Sequence, residues 1–261
     1  MPNNFQAPLS TPPKQKEDDT KALNPAGYDY DTIPSGYYDQ IFLNNPGIQG
    51  AWHRQKFAFL ATLTFPSKLH LDVGCGPGTF LGHFAKGTQS IGVDIASDQI
   101  AYAQTHYGNQ QVEFIQLQND VLPFADSTFD SISLIELIEH LDLDQLRTLM
   151  TEVMRVLKPG GKLVLSTPNY RSLWPLLEWA INKIAHVSYD EQHITQFTPA
   201  TLEAFLKAYP LQIQKRGSFL WVAPFLAPLG KGFSNWVAKL ERHFSHRQEA
   251  LLLYVCTIKT A

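Results

Sequence analysis

Residues 71–80 read LDVGCGPGTF, and this stretch decides the fold. Leu71 and Val73 suit a central strand of a parallel sheet, which is buried on both faces. Three glycines then occur within five residues, so the backbone can turn sharply and approach a ligand closely. They are Gly74, Gly76 and Gly78. Such a turn lies at the carboxyl end of a strand, beside a helix amino terminus whose free N–H groups attract carboxylates or phosphates. The stretch therefore predicts an α/β protein with a ligand site at this turn.

The spacing of the glycines does not match the dinucleotide-binding turn. The dinucleotide fingerprint has a third glycine three residues after the second, where this chain has Thr79, so the NAD pattern is not met. The next apolar strand ends in Asp94, whose carboxylate could accept two hydrogen bonds from a ribose diol. A tight turn that binds nothing is the plainer alternative for the glycines. A helix cap is the alternative for Asp94, although Ser97 and Asp98 are better placed to cap the next helix.

Composition favours one intracellular domain without a nucleic-acid partner. A chain of 261 residues with 44% hydrophobic content can bury a single large core. Its net charge of −3 provides no overall basic excess for binding nucleic acid. The cysteines, Cys75 and Cys256, are far apart, and no Cys/His cluster has the spacing of a structural zinc site. These features fit a reducing, cytoplasmic location, and the amino terminus lacks a secretory-signal pattern.

The pattern of elements predicts a doubly wound sheet. Residues 1–26 are rich in proline and polar side chains and are expected to form a disordered tail, with a single domain over 27–261. A helix over 45–63 should lie over the glycine turn. Strands are predicted at 68–73, 89–94, 111–117, 129–135 and 162–167, and later near 211–218 and 250–259. The first five alternate with helices, as right-handed βαβ crossovers require.

Several motifs together resemble the class I S-adenosylmethionine-dependent methyltransferases. They are Asp72 two residues before the first glycine, the compressed G-x-G-x-G, and Asp94 closing the second strand. Over about residues 45–215 the chain resembles the type 11 branch and is similar to ubiquinone-biosynthesis O-methyltransferases. The E-x-x-E-H that ends FDSISLIELIEHL, and the later STPNY and HITQFTP, carry this likeness. The resemblance implies a Rossmann-like seven-stranded sheet with the last strand antiparallel and helices on both faces.

The resemblance also implies which residues hold S-adenosyl-L-methionine. Asp72 and the glycines at 74, 76 and 78 would hold the methionine end, and Asp94, with Ile95 beside it, the ribose. Asp120 and Val121, in the loop after the third strand, would contact the adenine. For this last pair a polar turn before Pro123 is the alternative.

Three side chains are candidates for assisting the methyl acceptor. Methyl transfer needs alignment of the reactants above all, and sometimes a base for the proton of the nucleophile. Glu136 and His140 are four residues apart, so in a helical turn they share a face and could act as a base or ligate a divalent metal. In ubiquinone-pathway enzymes a similar E-x-x-E-H implies metal assistance, but a structural hydrogen-bonding role is favoured here and no metal is assigned. His193 is a further candidate base, although a lone histidine is more often a local hydrogen bonder.

Two apolar insertions, at about 170–192 and 219–246, bear on the substrate. The first carries an apolar stripe of Trp174, Leu177, Ile181 and Ile184. The second carries Phe233, Trp236, Leu240 and Phe244 beside Lys231, Lys239, Arg242 and Arg247. Both are too short to span a bilayer, but they suit an element lying in a membrane interface or a lid around a lipophilic substrate. Packing against the domain is an equal alternative.

The sequence therefore predicts a cytoplasmic S-adenosylmethionine-dependent methyltransferase, with oxygen as the accepting atom of a small-molecule or lipid-linked substrate. Peripheral contact with the inner face of a membrane is left open. Two other classes also stay open: an NAD(P) oxidoreductase on a similar fold, and a non-catalytic module that binds S-adenosylmethionine. The missing third glycine argues against the first. The side chains at 136 and 140 weigh against the second.

Overall fold

A computed structural model describes residues 33–184 and 192–260, and within them seven strands form one sheet. The strands are β1 (Leu69–Val73), β2 (Gln89–Asp94), β3 (Val112–Gln116), β4 (Phe129–Ile135), β5 (Leu157–Pro168), β6 (Leu211–Phe219) and β7 (Leu252–Lys259). Their order is β3-β2-β1-β4-β5-β7-β6. The first five strands are parallel, and β7 runs antiparallel to both of its neighbours. The Rossmann-like sheet with its antiparallel last strand is confirmed.

Helices cover both faces of this sheet, as predicted. They are α1 (Tyr37–Asn44), α2 (Ile48–Thr64), α3 (Thr79–Phe84), α4 (Ser97–Tyr107), α5 (Leu143–Val156), α6 (Trp174–Ile184), α7 (Pro199–Leu206) and α8 (Lys231–Glu241). One core lies between the sheet and helices α5 and α7, with Met150 and Leu202 at its centre. The other lies beneath α2, α3 and α4, where Leu60 and Phe80 are buried. The predicted tail at 1–26 lies outside the described residues.

The strand β5 begins earlier than the sequence predicts. The sequence predicts this strand at 162–167, after Pro159, Gly160 and Gly161, but the strand already starts at Leu157. Leu157 pairs with Phe129, and the register shifts before Ser131 pairs with Lys162. This irregularity, together with the positive φ of 75° at Gly160, accommodates the extra residues.

Helix α1 fixes the glycine turn from outside and was not predicted. Its Asp39 is buried and accepts hydrogen bonds from Thr79 Oγ1 (2.8 Å), Tyr107 Oη (2.6 Å) and Tyr102 Oη (2.9 Å). Thr79 occupies the position where the dinucleotide fingerprint has glycine, and its hydroxyl is used to dock α1. The residue that departs from the NAD pattern therefore has a structural contact of its own.

A buried polar seam joins β1 to β4. The His70 ring lies 2.8 Å from Ser131 Oγ through Nδ1 and 3.0 Å from Ser133 Oγ through Nε2. Ser133 also donates to the carboxylate of Asp72. Burial lowers the pKa of His70 to about 3 and raises the pKa of Asp72 to about 7, because both groups lose the solvent that stabilises their charged forms.

We expect His70 to make the protein sensitive to acid. Its folded pKa of about 3 lies below the unfolded value near 6.5, so between these values the unfolded state binds a proton that the folded state excludes. Stability from this group is therefore present above pH 6.5 and lost as the pH falls. Between pH 7 and pH 5 the wild type should lose about 2 kcal/mol of unfolding free energy relative to His70→Asn. Urea denaturation of both proteins at each pH measures this, and parallel pH dependences would contradict it.

Candidate functional site

The glycine turn is bound to the end of β2 by its backbone. The N–H groups of Gly74 and Cys75 both donate to the carbonyl of Val93, at 2.8 and 3.1 Å. Gly76 has a φ of 51°, and among the described residues nothing lies within 4 Å of where its side chain would start. At Gly78 the same atom would collide with Phe114. Gly76 thus leaves open space for a ligand beside bare backbone, whereas Gly78 allows close packing of the turn.

Asp94 lies at the mouth of this turn. Its Oδ2 accepts the N–H of Gly76 at 2.8 Å, and its Oδ1 accepts the N–H of Ala96 at 2.9 Å. Burial raises the pKa of this half-buried carboxyl, and these backbone hydrogen bonds oppose the rise. Each carboxylate oxygen has two acceptor positions, so both oxygens retain capacity for a diol. Its neighbour Ile95 is 39% exposed at the same opening.

The other predicted cofactor residues flank Asp94. Asp72 lies at the end of β1, and the charge of Asp94 adds to the burial that raises its pKa. Asp120 and Val121 are exposed in the loop that follows β3. The end of β3 is held to the end of β2 by a hydrogen bond from Leu117 N–H to the carbonyl of Asp94 at 2.8 Å. The structure therefore brings all these residues to the carboxyl edge of neighbouring strands.

Glu136 is held in an ion pair that the sequence did not reveal. Its Oε2 lies 2.6 Å from Nζ of Lys56, a residue of α2 that is only 4% exposed. Glu136 also has a positive φ of 51°, a rare conformation for a residue with a side chain. Lys56 stands four residues from both Trp52 and Leu60, on the apolar stripe of α2. This position on the buried face was the available signal for a paired lysine.

Glu139 and His140 lie in a 3-10 turn just after β4, where they meet His193. Glu139 is buried, which raises the pKa of its carboxyl to about 7. The Nδ1 atom of His140 lies 3.0 Å from the carbonyl of Gln192, and the His140 and His193 rings are 5.2 Å apart. Burial lowers the pKa of His140 to about 4. The structure thus brings together residues that lie more than 50 positions apart in the sequence.

His193 is bonded to an acid from the first insertion. Its Nδ1 contacts the carboxylate of Glu178, and both side chains are buried. Tyr170 donates its hydroxyl to both oxygens of Glu178, each at 2.9 Å. Burial lowers the pKa of His193, but the hydrogen bond with Glu178 and the charge of Glu139 outweigh it and raise the pKa. Sequence reasoning missed Glu178, although it is the only acid in the apolar helix α6.

Glu139, His140 and His193 could also hold a divalent cation. Each offers one ligand atom, and these atoms lie within 4.8 Å of one another. Glu136, the first acid of the E-x-x-E-H pattern, is instead engaged by Lys56. The sequence assigns no metal ligands and leaves open whether the reaction needs a divalent metal.

The two insertions differ in whether their apolar stripes are exposed. Trp174, for which the sequence left membrane contact and packing against the domain equally open, is 5% exposed and packs against Trp52, with ring centroids 5.6 Å apart. Instead α6 exposes Leu173, just before it, and Leu176 and Trp179. The side chains of Ile181 and Ile184 lie outside the described residues. In α8 and the turn after it the predicted stripe is exposed, at Phe233, Trp236, Leu240 and Phe244.

Within the described residues, every helix is too short or too polar to cross a bilayer.

Comparisons with known proteins agree with this fold. The family model described as a methyltransferase domain matches residues 71–165. A demethylmenaquinone methyltransferase of Lactiplantibacillus plantarum is 31% identical over 59% of this chain and 68% of its own length. A ubiquinone biosynthesis O-methyltransferase of Xanthomonas oryzae pv. oryzae is 30% identical over 58% and 65%. The crystal structure of an S-adenosylmethionine-dependent methyltransferase of Thermotoga maritima shares the fold, with a TM-score of 0.62 and 16% identity over 85% of this chain and 94% of that one.

The sheet order and the glycine turn at its carboxyl edge define a Rossmann-like α/β domain of the methyltransferase class. The chain belongs to the methyltransferase family. It spans less than half the length of several other curated relatives, at 37%, 44% and 38%.

We expect Lys56→Gln to destabilise the fold strongly, because it leaves the carboxylate of Glu136 in a poorly solvated position without its cation. The free energy of unfolding should fall by about 3 kcal/mol, and the double variant Lys56→Gln, Glu136→Gln should recover part of the loss. Chemical denaturation measures both. Lys86→Gln, which changes an exposed lysine, is the matched control. Equal stability of the Lys56 and Lys86 variants would contradict a stabilising pair.

Proposed function

We propose that the protein transfers a methyl group from S-adenosyl-L-methionine to an oxygen atom of a small-molecule or lipid-linked acceptor. This proposal rests on the turn at Gly76, where the backbone borders open space beside the carboxylate of Asp94. The use of Thr79 to dock α1 weighs against a dinucleotide-dependent oxidoreductase.

The residues at the turn fit the cofactor in kind and position. We assign Asp72, Gly74, Gly76 and Gly78 to its methionine end, Asp94 and Ile95 to the ribose, and Asp120 and Val121 to the adenine. When bound, S-adenosyl-L-methionine supplies an electrophilic methyl group on a sulfonium. The protein contributes alignment of the acceptor, exclusion of water and a group that takes the acceptor's proton.

Among the three candidate bases we favour His193. Glu136 forms an ion pair with Lys56. The low pKa of His140, about 4, makes its ring a weak base. The hydrogen bond with Glu178 and the charge of Glu139 raise the pKa of His193, so its ring is a stronger base than that of His140. We assign Glu136 and His140 to shaping the site around the acceptor.

A lipid-linked acceptor and a peripheral position at the cytoplasmic face of a membrane are supported by α8. Its exposed Phe233 and Trp236 stack with ring centroids 6.1 Å apart, and Lys239 is exposed on the same helix. The second insertion contains a single acid, Glu241, whose carboxylate accepts backbone N–H groups from Trp221, Val222 and Ala223. That negative charge is turned inward, so the outer face combines aromatic and basic groups, as membrane-surface elements do.

We predict that Asp94→Ala weakens the affinity for S-adenosyl-L-methionine at least about tenfold, a loss of about 1.4 kcal/mol, because the ribose loses its acceptor. Isothermal titration calorimetry measures the dissociation constant, and circular dichroism checks that the domain is folded. Asp98→Ala, which removes an exposed acid four residues away, serves as the control and should bind normally. Unchanged affinity of the Asp94 variant would refute the ribose assignment.

The function itself is tested by incubating the protein with methyl-labelled S-adenosyl-L-methionine and a cell extract fractionated into lipids and polar small molecules. Label should enter a lipid fraction as a methyl ether or a methyl ester. Treatment of the labelled product with alkali or acid identifies which of the two has formed. Tight cofactor binding with no labelled product in any fraction would favour the non-catalytic module. Binding of NAD(P)H in place of S-adenosyl-L-methionine would favour the oxidoreductase.

We predict that the wild type sediments with vesicles of phosphatidylcholine and phosphatidylglycerol, and that the double variant Phe233→Ser, Trp236→Ser does not. These side chains are 47% and 56% exposed, so their replacement should leave the fold intact. Leu43→Ser, which removes an exposed leucine on α1, is the matched control. Neutral phosphatidylcholine vesicles should bind less, because the cations near α8 lose their partners. Equal sedimentation of all three proteins would remove the membrane proposal.

A further inference from the structure

We propose that Arg155 and Glu152, an ion pair on helix α5, position the loop beside the adenine and thereby make binding selective for the adenine amino group. This inference deepens the proposed function and rests on it, because it takes Asp120 and Val121 as the residues that contact the adenine. The loop, residues 117–128, connects β3 to β4 and contains no helix or strand of its own. Its backbone groups therefore need partners from other elements.

The first support is that the guanidinium of Arg155 binds the backbone of this loop. Its Nη2 donates to the carbonyl of Leu122 at 2.9 Å, and its Nη1 donates to the carbonyl of Phe124 at 2.7 Å. Nη1 also donates to the carboxylate of Asp126 at 2.9 Å. Leu122 directly follows Val121, so the guanidinium fixes the backbone immediately after the adenine residues.

The second support is that Glu152 contacts both the guanidinium and the loop. Its Oε1 and Oε2 accept Nε and Nη2 of Arg155 at 2.8 and 2.7 Å, a two-point contact that sets the plane of the guanidinium. Oε2 also accepts the N–H of Leu122 at 2.9 Å. The hydrogen bond from Arg155 lowers the pKa of Glu152, so the pair is charged at neutral pH. The pair therefore binds both the N–H and the carbonyl of Leu122.

The third support is that the adenine residues are anchored on their other side to the ribose residue. The N–H of Leu117 donates to the carbonyl of Asp94 at 2.8 Å. Residues 118–121 are exposed and connect this anchor to Leu122, whose side chain is buried. Loss of the ion pair would release one end of this segment while β3 stays paired with β2, so the position of Asp120 would become variable.

The chemistry of the carboxylate indicates what this position decides. An ionised carboxylate only accepts hydrogen bonds, and the amino group of adenine donates them, whereas hypoxanthine has a carbonyl oxygen in the same place. Asp120 held against the base would therefore favour adenine over hypoxanthine. A displaced Asp120 would lose this preference.

The test compares S-adenosylhomocysteine, which is the cofactor without its methyl group, with S-inosylhomocysteine, in which hypoxanthine replaces adenine. Calorimetry on the full chain measures both dissociation constants. The wild type should prefer the adenine compound at least about tenfold, and Arg155→Lys and Glu152→Gln should each reduce this preference to less than about threefold. Lysine keeps the charge but not the two-point contact, and glutamine offers one oxygen to donors that now use two.

The matched control is Arg147→Lys, the same chemical change on the same helix. Arg147 pairs with Asp144, and both side chains are largely exposed, so this variant should keep the wild-type preference. The ratio of the two dissociation constants separates positioning from stability. A partly unfolded variant binds both compounds less well by the same factor, so the preference changes only if the site itself changes.

A second readout needs no ligand. Hydrogen–deuterium exchange of the peptide 117–124 should be faster in Arg155→Lys than in the wild type and in Arg147→Lys, because the backbone of Leu122 loses its fixed partners. Exchange of β1 should be the same in all three proteins.

The outcomes distinguish this proposal from the function it rests on. A wild type that binds neither compound would overturn the proposed function and the selectivity together. A wild type that binds the two compounds equally would overturn the selectivity alone, and so would Arg155→Lys and Glu152→Gln variants that keep the wild-type preference. Equal exchange of the peptide 117–124 in the wild type and in Arg155→Lys would overturn the role of the ion pair in holding the loop.

Discussion

The structure depends on the hydrogen bonds that join the glycine turn to the end of β2. Two successive N–H groups share the carbonyl of Val93, and the next turn residue, Gly76, donates to Asp94. These contacts require left-handed backbone at positions 74 and 76, which only glycine adopts at little cost. Because the turn connects β1 to α3, its shape fixes where the helix starts and where the strand-end carboxylates face. The location of the site is thus set by backbone geometry before any side chain contributes.

Burial near the carboxyl edge of the sheet disfavours the charged forms of several groups. Burial raises the pKa values of Asp72 and Glu139 to about 7 and lowers that of His140 to about 4. Charges are kept where a partner is within reach, as for Lys56 with Glu136 and His193 with Glu178. In such a poorly solvated region each remaining charge acts more strongly on its neighbours than it would in water. Chemically similar side chains in this region, such as His140 and His193, therefore have pKa values shifted in opposite directions.

Much of the fold could be predicted from the sequence, because strand and helix periods and the glycine spacing are local signals. The positions of β1 to β4 and the antiparallel β7 agree with the structure, the latter inferred from resemblance. The pairs Lys56–Glu136 and Glu178–His193 could not be predicted, since each joins residues brought together only by tertiary packing. The sequence left the direction of Trp174 open for a related reason: α6 is apolar on more than one face, so its pattern does not specify which face is inward. The cofactor and base assignments stay predictions.

The segment 219–246, where Glu241 is turned inward, differs in charge from the chain as a whole. The whole chain carries a net charge of −3. The segment 219–246, in contrast, contains two lysines, one arginine and a single acid, whose carboxylate accepts hydrogen bonds from backbone N–H groups. An anionic surface would repel the molecule as a whole at long range while rotating this positive end toward itself. Approach would then be restricted to one orientation before contact, which reduces the rotational entropy lost on docking.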